Sequence, residues 1–189
     1  MGLQMNFKKI TFYLWIIIIL GGMTTYLLFP EKLSFSFLEE TAANYPVEAP
    51  IIYYLLFSFQ RVVFMPSPLI LVGTLIFNPI ELFVVNMAGV MTSATIVYYF
   101  SRYLECDVYL ETKYSKYTHK IKAKFMDKEL PLIVGWSFFP MVPTNLIVYI
   151  VSSLRINVFK CLLGIFIGES IINAFYIITA TMLIKGSLS

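Results

Sequence analysis

The chain has 189 residues, of which 59% are hydrophobic and 13% charged, with a formal net charge of +3 and a mean hydropathy of +0.79. Soluble domains are typically about 45–50% apolar and about 25% charged, so the composition excludes a water-soluble globular protein and predicts an all-α, polytopic membrane chain. The two cysteines (Cys106 and Cys161) and the single His119 exclude a disulfide framework and a Cys/His metal centre.

Lys8 and Lys9 precede an uncharged stretch over 10–29. Its length of about 20 residues spans a bilayer. A signal-peptide core is shorter, about 7–15 residues, and no Ala-x-Ala site follows closely, so the stretch reads as a retained anchor. Pro30 ends it. Residues 31–49 carry Glu31, Glu39, Glu40 and Glu48 against Lys32 alone, and Phe35, Leu38 and Ala42 fall at the spacing of a short interfacial helix. Residues 1–44 are therefore assigned as anchor and interfacial segment, and 45–184 as one membrane domain.

Two apolar stretches follow that cannot be continuous helices. Residues 50–78 contain Pro66 and Pro68, and residues 131–153 contain Pro140 and Pro143. Proline removes a backbone donor and clashes with the preceding turn. With Pro66 laid on Pro143, both read Pro-Ser/Thr-x-Leu-Ile-aliphatic. In hydrocarbon a broken backbone is tolerated only where protein or a wet cavity covers it. Paired interruptions of this kind point to a transporter-type site near the bilayer midplane. Residues 79–101 and 157–184 read as full spans.

The charge pattern sets orientation. Residues 102–130 hold Arg102, Lys113, Lys116, Lys120, Lys122, Lys124 and Lys128, whereas 30–49 holds one basic residue. By the positive-inside rule the N-terminus and the 102–130 loop face the cytoplasm. The 50–78 segment must then enter and leave on the outer side, while Arg155 and Lys160 return 131–153 to the cytoplasmic side. The expectation is two opposed re-entrant hairpins in an inverted repeat. Within the loop, Leu110, Tyr114, Tyr117, Ile121 and Phe125 fall at the spacing of one helix face, which reads as a helix lying on an anionic leaflet, each basic residue adding about 1 kcal/mol of attraction; the alternative is a topology-setting loop with an incidental stripe.

Charges inside a bilayer mark pathways or partners. Arg61 precedes the first proline pair and suits a phosphate group; its alternatives are snorkelling or a structural ion pair. Asn78-Pro79-Ile80-Glu81 reads as a helix start with a capping-box glutamate, with a proton carrier as the alternative. Glu169 lies deep in the last span, on a face with Asn173, Tyr176 and Ala180. A desolvated carboxylate there is a candidate proton carrier, or else polar glue or a static partner for Arg61. Gly164 and Gly168 form a Gly-x-x-x-Gly approach surface. Lys160 is expected to snorkel. Asn145 is a neutral lining group beside half-helix ends that would favour an anion. No catalytic motif, clustered acids or phosphate loop occurs, so no enzyme, cofactor, metal or nucleic-acid partner is expected.

Arg61, Pro66-x-Pro68, Gly73, Phe77, the small-residue helix ending at Arg102, Pro140-x-x-Pro143-x-Asn145 and Gly168 resemble, in order and spacing, the VTT-domain proteins of the DedA and SNARE-associated Golgi protein superfamily. The resemblance covers about 45–184. It implies two re-entrant hairpins facing each other across the membrane. It also implies movement of polyprenyl-phosphate or phospholipid between leaflets, with proton dependence in some members. Ser137 stands where many relatives carry an arginine, and Asn78 and Ala88 stand where they carry glycine.

The expected function is therefore a lipid flippase or scramblase of the bacterial cytoplasmic membrane. Membrane lipids would be its partners, and Arg61, Pro66, Pro68, Ser137, Pro140, Pro143, Asn145, Glu169 and Asn173 would line the cavity. Gly73, Asn78, Glu81, Arg102, Gly164 and Gly168 would be structural. The alternatives are a secondary transporter of ions or small solutes and a non-transporting scaffold. Oligomeric state is left open.

Overall fold

The structure is a computed structural model that describes residues 10–18, 20, 21, 24, 40, 42–62, 69–104, 125, 128–139 and 143–187. Residues 10–18 are helical, and Trp15 lies against Phe100 with ring centroids 4.3 Å apart. Most of 31–49, the stripe from Leu110 to Ile121, and Pro66, Pro68 and Pro140 lie outside the described residues. Among the described residues six helices carry the domain: α1 (Ala49–Val62), α2 (Leu69–Ile76), α3 (Pro79–Tyr103), α4 (Glu129–Ser137), α5 (Thr144–Ser153) and α6 (Val158–Ser187).

The second interruption falls where the prolines require it. In the first segment α1 is described to Val62 and α2 from Leu69, and Pro66 and Pro68 lie between these ranges, outside the described residues. α4 ends at Ser137 and α5 begins directly after Pro143, with Pro140 in the gap. Pro50 and Pro131 are tolerated because they occupy first helical turns, where the missing N–H has no partner to lose. The repeated Leu-Ile-aliphatic steps, Leu69-Ile70-Leu71 and Leu146-Ile147-Val148, both fall in the helix that follows the break.

α3 starts as the sequence predicts. Asn78 is the N-cap, its Oδ1 accepting from Glu81 N at 2.9 Å, and Pro79 opens the helix. Asn78 Nδ2 donates in turn to Glu81 Oε2 at 3.0 Å, so Glu81 is a capping residue. α5 ends in a Schellman motif. Arg155 N donates to Ser152 O and Ile156 N to Val151 O, both at 3.1 Å, and Arg155 takes φ 59° in the left-handed region. Asn157 then receives Phe159 N at 2.8 Å as α6 begins.

α3 and α6 are the two described helices long and apolar enough to cross a membrane. They run antiparallel: Ser170 faces Met87, while Tyr98 Oη donates to Ile156 O at 2.6 Å, just before α6. α1 runs the same way as α3, since Tyr53 meets Asn86 and Phe57 meets Gly89. α4 runs the same way as α6: Glu129 pairs with Lys160, Ile133 packs on Gly164, and Val134 and Ser137 pack on Gly168. α1 and α4 therefore point in opposite senses. Each is followed by a helix after its break.

Close approaches depend on glycine. A Cβ on Gly168 would lie 2.7 Å from both Ser137 Cβ and Val134 O, and one on Gly164 would lie 2.7 Å from Ile133 Cγ2. The predicted Gly-x-x-x-Gly surface is thus occupied by α4. A Cβ on Gly73 would lie 2.4 Å from Leu82 Cδ1 and 2.9 Å from Tyr53 Oη. Tyr53 is fully buried at this junction. It hydrogen-bonds with Leu69 O and Asn86 Oδ1, each at 3.0 Å, and its ring meets Phe77 edge-on at 5.3 Å.

Candidate functional site

The site is built where the two broken segments meet the middle of α6. Glu169 is twelfth in α6, which at a rise of about 1.5 Å per residue puts it about 17 Å from the start of the helix. It is 4% exposed. Arg61, in the last turn of α1, reaches it: Nη2 lies 2.5 Å from Glu169 Oε1, and the Arg61 side chain is 18% exposed. The guanidinium carbon also lies 5.7 Å from the centroid of the Phe57 ring, one turn back on α1, within cation–π range.

The second broken segment contributes its tip. Thr144 opens α5 immediately after Pro143, and its hydroxyl donates to Glu169 Oε1. The amino end of a helix favours negative charge, so its placement against a carboxylate is electrostatically consistent. Asn145, the next residue, turns to the other partner, Nδ2 donating to Arg61 O at 2.5 Å. Asn173, one turn on from Glu169, donates from Nδ2 to Glu169 Oε2 at 3.1 Å and to Glu169 O at 3.0 Å. Glu169 thus accepts from three side chains on three helices.

The polar demand is not fully met. Arg61 Nε, Ser137 Oγ and Asn173 Oδ1 are buried and have no hydrogen-bond partner among the described residues. Buried polar atoms are ordinarily paired with protein, water or ligand. Three such atoms on the residues that hold or border Glu169 make this a polar spot inside apolar helices.

Of the residues singled out from the sequence, Arg61, Asn145, Glu169 and Asn173 converge here, Ser137 borders the cluster through Gly168, and Pro143 sets the start of α5. Pro66, Pro68 and Pro140 lie outside the described residues. Arg102 is exposed in the last turn of α3, away from the cluster. On the α6 face of Glu169, Asn173 and Ala180 are buried while Tyr176 is 38% exposed, and the neighbouring Ile177 is buried. Lys160, whose side chain is 58% exposed, also forms an ion pair with Glu129 at 2.5 Å, which the sequence did not reveal.

Thr144 as a ligand of Glu169 was not foreseen, nor was the Tyr53–Asn86 bond. An asparagine in mid-span is the only sequence signal for the second. Among the described residues no group of His, Cys, Asp and Glu could hold a metal ion.

No curated protein and no solved structure matches this chain. A family model does: the VTT domain, over residues 64–181. The matched span runs from just before the first proline pair to near the end of α6 and so contains both proline pairs, the two membrane-capable helices and Glu169. This family is membrane-associated and is generally linked to transport or lipid handling. The match covers well over half of the chain, and the protein belongs to the VTT domain family.

Proposed function

We propose that this protein moves lipids across the cytoplasmic membrane as a flippase- or scramblase-like transporter, without enzymatic chemistry. In this reading the chain is multi-pass with its N-terminus in the cytoplasm. The α1–α2 and α4–α5 units are re-entrant hairpins that dip in from opposite faces as an inverted repeat. The basic 102–130 segment rests on the anionic leaflet. A phosphate-bearing head group crosses at mid-depth, attracted by Arg61 and lined by Asn145, Asn173 and Ser137.

The observation that carries the reading is the Arg61–Glu169 pair, held at 2.5 Å at the tips of both broken segments and in the middle of α6. Its worth as a stabiliser is small. Replacing a buried ion pair with well-packed apolar residues is often neutral or stabilising by about 1–4 kcal/mol. A charge pair placed where the backbone is also broken makes physical sense if a polar group has to pass there. The opposite senses of α1 and α4 support opposed entry. The three unpartnered polar atoms support a site that accommodates a polar guest.

A second reading is favoured by one feature: Glu169 is already engaged by Arg61, Thr144 and Asn173. Such a saturated carboxylate is what a static pin between helices would look like, and then the protein would be a scaffold. A fluorescent-phospholipid translocation assay in proteoliposomes separates the two. Wild type should move lipid, and Arg61→Ala and Glu169→Gln should each lose at least tenfold in rate while remaining monodisperse. No movement by folded wild-type protein would reject transport of lipid and leave the scaffold or a solute carrier.

A further inference from the structure

One bond at the site does not belong to the charge pair. Asn145 Nδ2 donates to the carbonyl oxygen of Arg61 at 2.5 Å. That carbonyl lies in the last turn of α1. Asn145 is itself 3% exposed, so its amide has no water as a ready substitute.

The bond closes a ring. The Arg61 side chain meets Glu169, Glu169 accepts from Thr144, Thr144 is joined by one peptide bond to Asn145, and Asn145 holds the Arg61 backbone. The ring's four residues come from three elements: Arg61 from the end of α1, Thr144 and Asn145 from the start of α5, and Glu169 from the middle of α6. A side chain that grips the backbone of Arg61 fixes where its guanidinium can point, whatever that guanidinium is bound to.

We propose that Asn145 is a positioning residue that latches the two broken segments tip to tip, so that the arrangement seen here is the closed state of the path between the leaflets. Opening requires the Asn145 amide to leave the Arg61 carbonyl. Release exposes a donor amide, an acceptor carbonyl and the guanidinium together, next to the unpartnered Ser137 Oγ and Asn173 Oδ1. What then passes rests on the transport reading above. The latch rests on the geometry of the ring.

The test measures opening and not transport. Ser137, 2% exposed at the end of α4, is replaced by Ser137→Cys in a background carrying Cys106→Ser and Cys161→Ser. Labelling by a membrane-impermeant methanethiosulfonate is followed in vesicles. Asn145→Asp is nearly isosteric but lacks the N–H, and should speed labelling at least tenfold. Asn145→Gln retains a donor and should stay within about threefold of the parent, on the scale where 1.4 kcal/mol is tenfold. Asn145→Leu repeats the loss of the donor without adding charge and carries the test if the aspartate variant is not recovered folded; only monodisperse protein is scored. Equal labelling in the parent and the donor-less variants overturns the latch, as does equal acceleration by Asp and Gln. If labelling follows the donor while wild type moves no lipid, the latch stands and the lipid reading falls.

Discussion

Arg61 and Glu169 are 108 positions apart in the chain and 2.5 Å apart in space. This contact holds a charged hydrogen bond inside apolar helices. Removing either partner leaves the other buried and unpaired, which costs about 3–5 kcal/mol in comparable cases. Arg61→Met and Glu169→Leu should therefore each lower the thermal midpoint of the detergent-solubilised protein strongly. The double variant should recover much of that loss. Additive effects in this cycle would show that the two side chains are not coupled.

Gly168 and Gly135 make a matched pair. At Gly168 an added Cβ meets the Val134 carbonyl oxygen at 2.7 Å and Phe138 N at 3.1 Å, and backbone cannot swing aside. At Gly135, inside α4, nothing lies within 4 Å. Gly168→Ala should destabilise by about 1–3 kcal/mol through overpacking. Gly135→Ala should stabilise by about 0.8–1 kcal/mol, the helix-propensity gain at an open position. Melting curves on the two variants decide it, and the same sign for both would contradict the α4–α6 packing.

Arg155 holds φ 59° in the Schellman turn between α5 and α6. A left-handed backbone costs an L-residue about 1–2 kcal/mol and costs glycine almost nothing. Compared with Arg155→Ala, Arg155→Gly should be more stable by about 1 kcal/mol, because both variants lose the side chain and only one loses the strain. Equal thermal midpoints would mean that the turn relaxes to another geometry.

Tyr53→Phe removes the hydroxyl that bonds with Leu69 O and Asn86. The Asn86 side chain is fully buried, and its Nδ2 has no partner. Deleting the hydroxyl leaves the amide oxygen unpaired too, at a cost of about 1–3 kcal/mol. The loss should show as a lower midpoint and as faster proteolysis between α1 and α3. No change would mean that the α1–α2–α3 junction is held by ring packing alone.

The positions of the helix breaks were legible because proline acts locally. A proline disfavours helix in the turn that precedes it and can open the one that follows, and α4 accordingly stops before Pro140 while α5 starts just after Pro143. The N-cap at Asn78 and its link to Glu81 were legible for the same reason: donor and acceptor lie three residues apart. The glycines at 164 and 168 announced a close approach, though not that α4 would be the helix approaching.

The site was legible only as a set of candidates. Arg61 and Glu169 could be flagged because isolated charges in apolar sequence are expensive, and their pairing was one of several readings. Thr144 gave no warning, since a threonine after a proline is an ordinary helix start. Lys160 looked like a snorkelling lysine because its partner, Glu129, lies 31 residues earlier, at the start of a different helix.

Sequence by itself determined the apolar class of the chain, where its helices must break, how α3 is capped and which charges would be costly to bury. The tertiary structure decided which of those charges meet, that Thr144 joins them, and that Asn145 grips the backbone of Arg61. The division has a physical cause. Prolines, caps and helical faces are fixed by neighbours within about one turn, or about four residues. The partner of a buried charge is fixed by how α1, α5 and α6 pack, which depends on every side chain between them.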